Sequence, residues 1–258
     1  MMCAAQAGMR GRRVLLLDHG EKLGERIRIS GGGRCNFGNR SVGAENYLSQ
    51  NAHFCRSALA RFSQHDFIKM VERRRIPYHE REHGQLFCDE SAQDIIDMLK
   101  DACDDAGVQW AMPCAVRQVA RVEGKDGMRF AVATERGTFR CQSLVVATGG
   151  LAAPQIGASP FGYKLAEQFG LAVVAPKPAL VPLALAPETL LPLKPLAGST
   201  LDAATQCNGT AFRENVLLTH RGLSGPAILQ ISSYWQMQEY GGGKRQPIEI
   251  DLMPDVDA

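Results

Sequence analysis

Ile29-Ser30-Gly31-Gly32-Gly33-Arg34-Cys35-Asn36 is the stretch that decides how this chain folds. Three successive glycines lose much backbone entropy on folding, so they indicate a path that side chains would block or a close approach to a ligand. Consecutive N–H groups in such turns can point at one anion. Arg34 adds a planar charged fork suited to phosphate, and Asn36 adds hydrogen-bond donors and acceptors. We interpret Ser30–Asn36, called the first glycine turn below, as a ligand-binding loop rather than a mobile surface loop.

A short apolar strand is predicted just before this turn. Residues 14–17 read Val-Leu-Leu-Leu and are followed by Asp18. A continuous apolar run of this length is typical of a buried parallel strand. An acid at the end of the second strand of a doubly wound sheet is placed to accept hydrogen bonds from ribose hydroxyls. Many buried strands also end in Asp to form a turn, so on position alone both roles stay open.

Strands and helices alternate through the first part of the chain. A second apolar run at 144–147 predicts another buried strand, and it ends at Thr148-Gly149-Gly150. The segment from about 45 to 106 is mainly helical. Its predicted elements are a helix at 51–62, a helix at 63–75 that begins with Ser63 and Asp66 spaced as a capping box, and a hairpin at 78–88. An amphipathic helix follows, which is capped by Ser91 and carries Ile95, Ile96, Leu99 and Cys103 on one stripe.

The second part of the chain is predicted to be a separate, β-rich domain. Six prolines within residues 176–195 indicate a boundary. Strands are expected at 200–207, 214–220 and 248–252, with one helix at about 225–238. We therefore predict an α/β domain at 1–180 and a β-rich domain at 181–258, with turns at 125–127 and 241–243.

Composition indicates an ordinary soluble globular protein. Of the 258 residues, 45% are hydrophobic and 22% are charged, and 29 basic against 27 acidic residues give a net charge of +2. This balance argues against a dedicated nucleic-acid binder and leaves a local basic patch open. The eight scattered cysteines contain no Cys-x-x-Cys pair, and no stretch approaches the ~20 apolar residues of a membrane span. We expect reduced thiols and a cytoplasmic location.

The motifs together resemble one family. Asp18, Glu21-Lys22-Leu23-Gly24 and the first glycine turn are similar to the fingerprint of the YhiN-type flavoproteins, FAD-dependent oxidoreductases related to aminoacetone oxidases and flavin-dependent bile-acid reductases. Residues 147–155, Ala-Thr-Gly-Gly-Leu-Ala-Ala-Pro-Gln, resemble that family's second flavin-contacting turn and are called the second glycine turn here. Residues 178–183 and 218–227 resemble the entry to its inserted domain and a motif inside that domain.

The resemblance implies a fold and a set of cofactor contacts. The fold is a Rossmann-like FAD-binding domain of the two-dinucleotide-fold flavoprotein type with a β-rich inserted domain. Asp18 would hold the adenosine ribose, and Val116 would meet the adenine through its backbone. The remaining contacts to FAD would come from Arg26, Ser30, Gly31, Gly32, Gly33, Arg34, Cys35, Asn36, Thr148 and Gly149.

The chain also departs from the family pattern. The family begins with a strand and a Gly-x-Gly-x-x-Gly turn that places the pyrophosphate at a helix N-terminus. Here Met1–Ala5 resembles the interior of that helix, and the chain stops at Ala258, inside the expected insert. We therefore expect a fragment, and an inactive remnant with weak or no FAD binding is the alternative to an active enzyme.

Other motifs support weaker hypotheses. His79-Glu80-Arg81-Glu82-His83 matches His-Glu-x-x-His, the zinc-peptidase signature, but a hairpin tip is favoured because that chemistry needs a helix. Ser224 is expected to cap the following helix rather than to act as a nucleophile beside His220. Cys35 is expected to be a packing residue rather than a redox-active thiol.

The sequence thus predicts an FAD-dependent oxidoreductase, with NADH or NADPH as the candidate electron donor. No catalytic residue and no metal site are assigned. The expected partner is a small-molecule substrate, with neither nucleic acid nor membrane, and the substrate itself stays open. Flavin enzymes leave electron transfer to the cofactor, while the protein supplies binding, orientation and electrostatics.

Overall fold

A computed structural model describes residues 1–123, 127–241 and 244–256. The chain divides into two compact units, which are treated separately below. Unit 1 comprises residues 1–42 and 58–173, and unit 2 comprises residues 43–57 and 174–258. The turns predicted at 125–127 and 241–243 fall largely outside the described residues.

Unit 1 contains most of the helices and three small sheets. Its elements in chain order are α1 (Met2–Gly8), β1 (Leu15–Leu17), α2 (Glu25–Ile29), β2 (Asn36–Asn39), α3 (Arg56–Arg61, which begins in unit 2), α4 (Gln64–Arg73), β3 (Tyr78–Glu80), β4 (Gln85–Cys88), α5 (Gln93–Asp105), β5 (Gln109–Ala111), β6 (Val116–Arg121), β7 (Phe130–Thr134), β8 (Gly137–Cys141) and α6 (Phe161–Gln168). Strand β1 pairs in parallel with β5, whereas the sheets β2-β4-β3 and β6-β7-β8 are antiparallel.

Helix α5 is the centre of the unit 1 core. The predicted stripe is buried throughout, with Ile95, Ile96, Leu99 and Cys103 at most 6% exposed. One side of the helix packs with Val71 of α4 and with β4, and its last turn packs against α1. The N–H of Gln93 donates to Ser91 Oγ at 3.0 Å, but Ala92 occupies the cap position, so Ser91 lies one residue before the cap that was predicted for it.

Unit 2 is a five-stranded antiparallel sheet covered by one helix. Its elements are β9 (Leu183–Ala184), α7 (Pro187–Leu190), β10 (Thr200–Cys207), β11 (Thr210–Thr219), β12 (Gly222–Ser224), α8 (Pro226–Met237) and β13 (Glu249–Asp251). The strand order is β13-β10-β11-β12-β9. Buried Ile228 of α8 packs against Ala203 and Val216 of the sheet. The predicted strands at 200–207, 214–220 and 248–252 and the helix at 225–238 are confirmed.

Three further local predictions are wrong. Residues 144–147 form no strand, and Val145 and Val146 are 63% and 46% exposed, because no described strand bonds their backbone. The helix expected at 51–62 shortens to α3. Ser224 makes no cap hydrogen bond to α8, because it lies in β12 opposite Leu217 and Gly225 occupies the cap position.

The His-Glu-x-x-His match lies on a hairpin, as predicted. His79 and Glu80 belong to β3, which pairs with β4, and His83 has a φ of +59° in the connecting turn. His79 Nδ1 lies 2.7 Å from Asp89 Oδ1. The two histidines therefore do not share the helix face that a zinc peptidase requires, and the structure contradicts that alternative.

Candidate cofactor site

The predicted ribose-binding carboxylate is fixed at the carboxyl end of β1. The Asp18 N–H donates to the carbonyl of Ala111 at 3.1 Å, and the Cys114 N–H donates to the carbonyl of Asp18 at 2.7 Å. The side-chain Oδ1 accepts the Gly20 N–H at 2.8 Å, and His19 Nδ1 lies 3.8 Å from it. Among the described residues no donor reaches Oδ2. One carboxylate oxygen therefore orders the loop, and the other is available to a ligand.

The first glycine turn follows a left-handed backbone path. Gly31, Gly32 and Gly33 have φ values of +57°, +66° and +88°, and Cys35 has a φ of +49°. A Cβ on Gly31 would lie 2.7 Å from the backbone nitrogen of Asn36 and 2.8 Å from Phe87 Cε1. A Cβ on Gly32 or Gly33 would meet no described atom within 4 Å. Gly31 is thus required by packing, whereas Gly32 and Gly33 leave space in front of the turn.

The turn is tied to the elements around it by one side-chain and two backbone hydrogen bonds. Ser30 Oγ donates to the carbonyl of Ile27 at 2.7 Å, in α2. The carbonyl of Gly33 accepts the N–H of Ala92 at 2.7 Å, just before α5, and the carbonyl of Arg34 accepts the N–H of Cys88 at 2.9 Å. These three bonds hold the turn against α2, α5 and β4.

The side chains of the three residues after the glycines differ in their exposure. Arg34 and Asn36 are exposed, and the guanidinium of Arg34 has no partner within the described part of the chain. Cys35 is 5% exposed and packs in the core with Val71 and Cys88. Arg34 and Asn36 are therefore free to bind a ligand, whereas the Cys35 side chain faces the protein interior.

Burial keeps the two neighbouring thiols protonated. Desolvation raises the pKa of Cys35, and a hydrogen bond with Ser30 opposes that shift. Desolvation also raises the pKa of Cys88 to about 12, and the Cys35 thiol adds to that shift. Since the thiolate is the reactive form, both side chains behave as packing groups at neutral pH. This supports the packing interpretation of Cys35.

Arg26 joins the two glycine turns. From α2 its Nη2 donates to the carbonyl of Gly150 at 2.7 Å and also to the carbonyl of Ala152. Gly149 has a φ of +74°, and a Cβ there would lie 3.5 Å from Arg26 Nη1. One guanidinium therefore holds the second glycine turn beside the helix that leads into the first one.

The remaining predicted contacts lie close to these anchors. Val116 begins β6, two residues after Cys114, whose N–H binds Asp18. Thr148 Oγ1 lies against the first turn of α6, because a Cβ on Gly162 would approach it to 2.8 Å. The structure therefore brings Asp18 near Val116, and Arg26 near Gly149, within unit 1. Their roles toward FAD stay predictions.

Two residues that the sequence did not single out complete the site. The ring of Phe87 lies beneath Gly31, with the Arg81 guanidinium carbon 4.1 Å from the ring centroid. The ring of His19 lies against Gly157, where φ is +91° and a Cβ would overlap it. The apolar run 86–88 in the predicted hairpin was the one available signal for Phe87.

Comparison with known proteins places these motifs in a family. The chain is 53% identical over its 258 residues to a ribosomal RNA dihydrouridine synthase of Escherichia coli strain K12. It is 25% identical over 252 residues, 95% of its length, to a 3-dehydro-bile acid delta(4,6)-reductase of Clostridium scindens. It spans 62% and 59% of the lengths of these two relatives.

A solved structure and a family model extend the comparison. A glycine oxidase from Bacillus cereus matches 96% of this chain and 80% of its own, with 11% identity and a TM-score of 0.38. No helix in the described part of the chain is long and apolar enough to cross a membrane. The model described as the HI0933-like protein Rossmann domain matches residues 1–254. The chain therefore belongs to the HI0933-like Rossmann-domain family, the family of flavoprotein oxidoreductases that its glycine turns predicted.

Proposed function

We propose that this protein is an FAD-dependent reductase that converts uridine to dihydrouridine in ribosomal RNA. The 53% identity to a ribosomal RNA dihydrouridine synthase over the whole chain supports the substrate. The structural observation that supports FAD as the cofactor is the link that Arg26 makes between the two glycine turns. This link holds the predicted FAD contacts of unit 1 close to one another.

The residues present fit the dinucleotide. Asp18 would bind the adenosine ribose through Oδ2, since Oδ1 already accepts the Gly20 N–H. Arg34 would bind phosphate, because its guanidinium is exposed and has no partner among the described residues. The open space in front of Gly32 and Gly33 would let the backbone approach the cofactor closely. Arg26 acts differently, since its fork binds carbonyls and positions the second turn.

The proposed chemistry follows from the properties of FAD and of the uracil base. When bound, FAD supplies two-electron transfer that no side chain of this chain can perform. In the proposed reaction the C5=C6 bond of uracil, which is conjugated to a carbonyl, gains a hydride equivalent and a proton. NADH or NADPH is the proposed source of the two electrons, and water is the source of the proton. The part of the protein is to bind, orient and shield the reacting base.

A small unsaturated carbonyl compound is the second candidate substrate. The bile-acid reductase relative, at 25% identity, favours it, and it agrees with the small-molecule substrate that was expected for a flavoprotein of this kind. Both candidates require reduction of a carbon–carbon double bond conjugated to a carbonyl. They differ in the size and charge of the substrate.

The experiment separates cofactor from substrate. The purified protein is saturated with FAD, and bound flavin is measured by its visible absorbance after gel filtration. It is then incubated with unmodified transcribed ribosomal RNA and NADH or NADPH, and dihydrouridine is quantified by nuclease digestion and mass spectrometry. We expect bound flavin and dihydrouridine that depends on FAD. Bound flavin without dihydrouridine, but with oxidation of NAD(P)H by an enone, would favour the second candidate, and absence of flavin binding would reject both.

A further inference from the structure

Unit 1 carries an exposed basic surface away from the candidate cofactor site. It consists of Arg10, Arg12 and Arg13, which follow α1, and of Arg73 and Arg75, at the end of α4. All five side chains are exposed, and none has a hydrogen-bond or ion-pair partner in the part of the chain that the structure describes. We call these five residues the arginine surface.

Both groups of arginines lie at or just after the ends of helices that end beside the last turn of α5. Arg74 Nη1 lies 3.0 Å from Asp101 Oδ2, and Arg74 Nη2 lies 3.5 Å from Asp105 Oδ2. At the end of this turn a Cβ on Gly8 would lie 2.9 Å from Ala106 Cβ. The ends of α1 and α4 therefore lie beside the same turn, and among the described residues Arg74 is the one arginine that contacts its acids.

Interaction with helix dipoles does not explain why all five arginines of the arginine surface lie here. The carboxyl ends of α1, α4 and α5 meet here, and each favours a cation in its last turn. That effect falls off within the turn, whereas Arg10, Arg12 and Arg13 lie two to five residues beyond Gly8. Arg75 lies beyond α4 with a φ of +54°, its N–H bonded to the carbonyl of Glu72 at 2.9 Å. Their guanidinium groups remain available to an external anion.

The arginine surface lies at the opposite end of β1 from the cofactor site. Arg13 precedes the strand, and Asp18 follows it. At about 3.3 Å per residue, the five steps between them span roughly 16 Å. A small substrate in contact with the flavin would not reach this surface. A folded nucleic acid, which carries a phosphate on every nucleotide, would.

We infer that the arginine surface binds backbone phosphates of the ribosomal RNA substrate at a distance from the reacting base. This inference rests on the proposed function, whose substrate it extends from a uridine to a folded RNA. Arginine suits the task because its planar fork donates two hydrogen bonds to one phosphate. Contacts of this kind fix the position of a nucleic acid and carry no sequence information. Selection of the uridine is left to the site near Asp18.

The test is equilibrium binding to transcribed ribosomal RNA at 50–200 mM salt. The variants R12Q/R13Q and R73Q/R75Q each remove two charges, and their combination removes four. Each lost phosphate contact lowers the slope of log K against log salt by about 0.7–0.9. We therefore expect the slope to fall by about 1.5 in each pair and about 3 in the combination, with Kd at 50 mM salt weakened by about 10-fold or more in the latter.

Two controls make the result specific. R117Q/R121Q removes two exposed arginines of β6 in the same unit that likewise have no partner among the described residues, and it should bind RNA like the wild type. Replacing the four arginines with lysine should retain most of the salt dependence, which excludes a folding defect as the cause.

The outcomes separate this inference from the proposed function. Arginine-dependent RNA binding without dihydrouridine formation would reject the proposed reaction and leave the surface in place. Dihydrouridine formation with unchanged Kd and slope in both pairs would reject the surface. Failure of the wild type to bind RNA, or binding through these arginines to anionic phospholipid vesicles alone, would also overturn it.

Discussion

Gly31→Ala tests whether the packing of unit 1 requires a glycine at position 31 of the first glycine turn. Gly31 has a φ of +57°, a region that costs a side-chain-bearing residue about 1–2 kcal/mol. The new Cβ would also lie 2.7 Å from the Asn36 backbone nitrogen and 2.8 Å from Phe87 Cε1. The Phe87 ring is 7% exposed and covered by Arg81, so it has little room to move. Overpacking of this kind typically costs about 1–3 kcal/mol, and we expect a total loss of roughly 2–5 kcal/mol.

Gly32→Ala is the matched control. Gly32 has a φ of +66°, but a Cβ there meets no described atom within 4 Å. Only the backbone cost of about 1–2 kcal/mol applies to it. The difference between the two variants therefore isolates the contacts with Asn36 and Phe87, which we expect to contribute roughly 1–3 kcal/mol.

Urea unfolding of the protein without FAD measures this difference. The chain has two tryptophans, Trp110 in unit 1 and Trp235 in unit 2. In a W235F background, fluorescence reports unit 1 through Trp110 of β5. Free energies of unfolding for Gly31→Ala and Gly32→Ala that agree within about 0.5 kcal/mol would refute the packing argument. The turn would then be shaped by its backbone preference alone.

Three further predictions concern the same site and its neighbours. Arg26→Lys keeps the charge but loses the planar fork that binds the carbonyls of Gly150 and Ala152. We expect the affinity for FAD, measured by flavin fluorescence titration, to fall about 10-fold. Unchanged affinity would contradict the bridging role of Arg26. Asp18→Asn retains an acceptor for the Gly20 N–H but weakens the ribose hydrogen bond, and should reduce FAD affinity by roughly 5- to 10-fold without a change in stability. Because burial raises the pKa of Cys88 to about 12, its thiol stays protonated at pH 7–9. In the native protein iodoacetamide should therefore modify exposed Cys3 well before Cys88, as measured by mass spectrometry, whereas both should react in the urea-unfolded control. Early modification of Cys88 in the native protein would disprove this.

Elements with a complete local signal were predicted from the sequence. The buried stripe of α5 is visible as apolar residues at helical spacing, and Ser91, which accepts the N–H of Gln93, lies one residue before the cap position. The Ser63–Asp66 capping box likewise marks the start of α4, where the Ser63 N–H donates to Asp66 Oδ2 at 2.9 Å. Such signals involve residues a few positions apart, so they do not depend on the rest of the fold.

The run at 144–147 shows where local signals fail. Its apolar residues match a buried strand, but a strand exists only where another strand bonds its backbone. Within the described residues β1 pairs with β5 alone, and the run stays outside that sheet. Hydrophobicity indicates what a segment is able to form, whereas pairing depends on elements far away in the chain.

The candidate site divides in the same way. The three positive φ angles of the first glycine turn were predictable, because glycine runs are typical of left-handed backbone. The contact from Arg26 to Gly150 and Ala152 was not, because it spans more than 120 residues and arginine on a short helix has no distinctive pattern. The resemblance named Arg26 as a cofactor contact, but its guanidinium binds protein carbonyls in the structure.

Charge was the least predictable property of all. The net charge of +2 argued against nucleic acid, yet the arginines at 10–13 and 73–75 are about sixty residues apart in the sequence and flank one turn of α5. Folding also separates the neighbours within a run, since Arg74 binds Asp101 and Asp105 while Arg73 and Arg75 stay exposed. A phosphate responds to the charges within about a Debye length, roughly 8–10 Å, rather than to the sum over the chain. A nearly neutral protein can therefore present a surface on which RNA binds, provided that the acids near that surface are paired, as Asp101 and Asp105 are with Arg74.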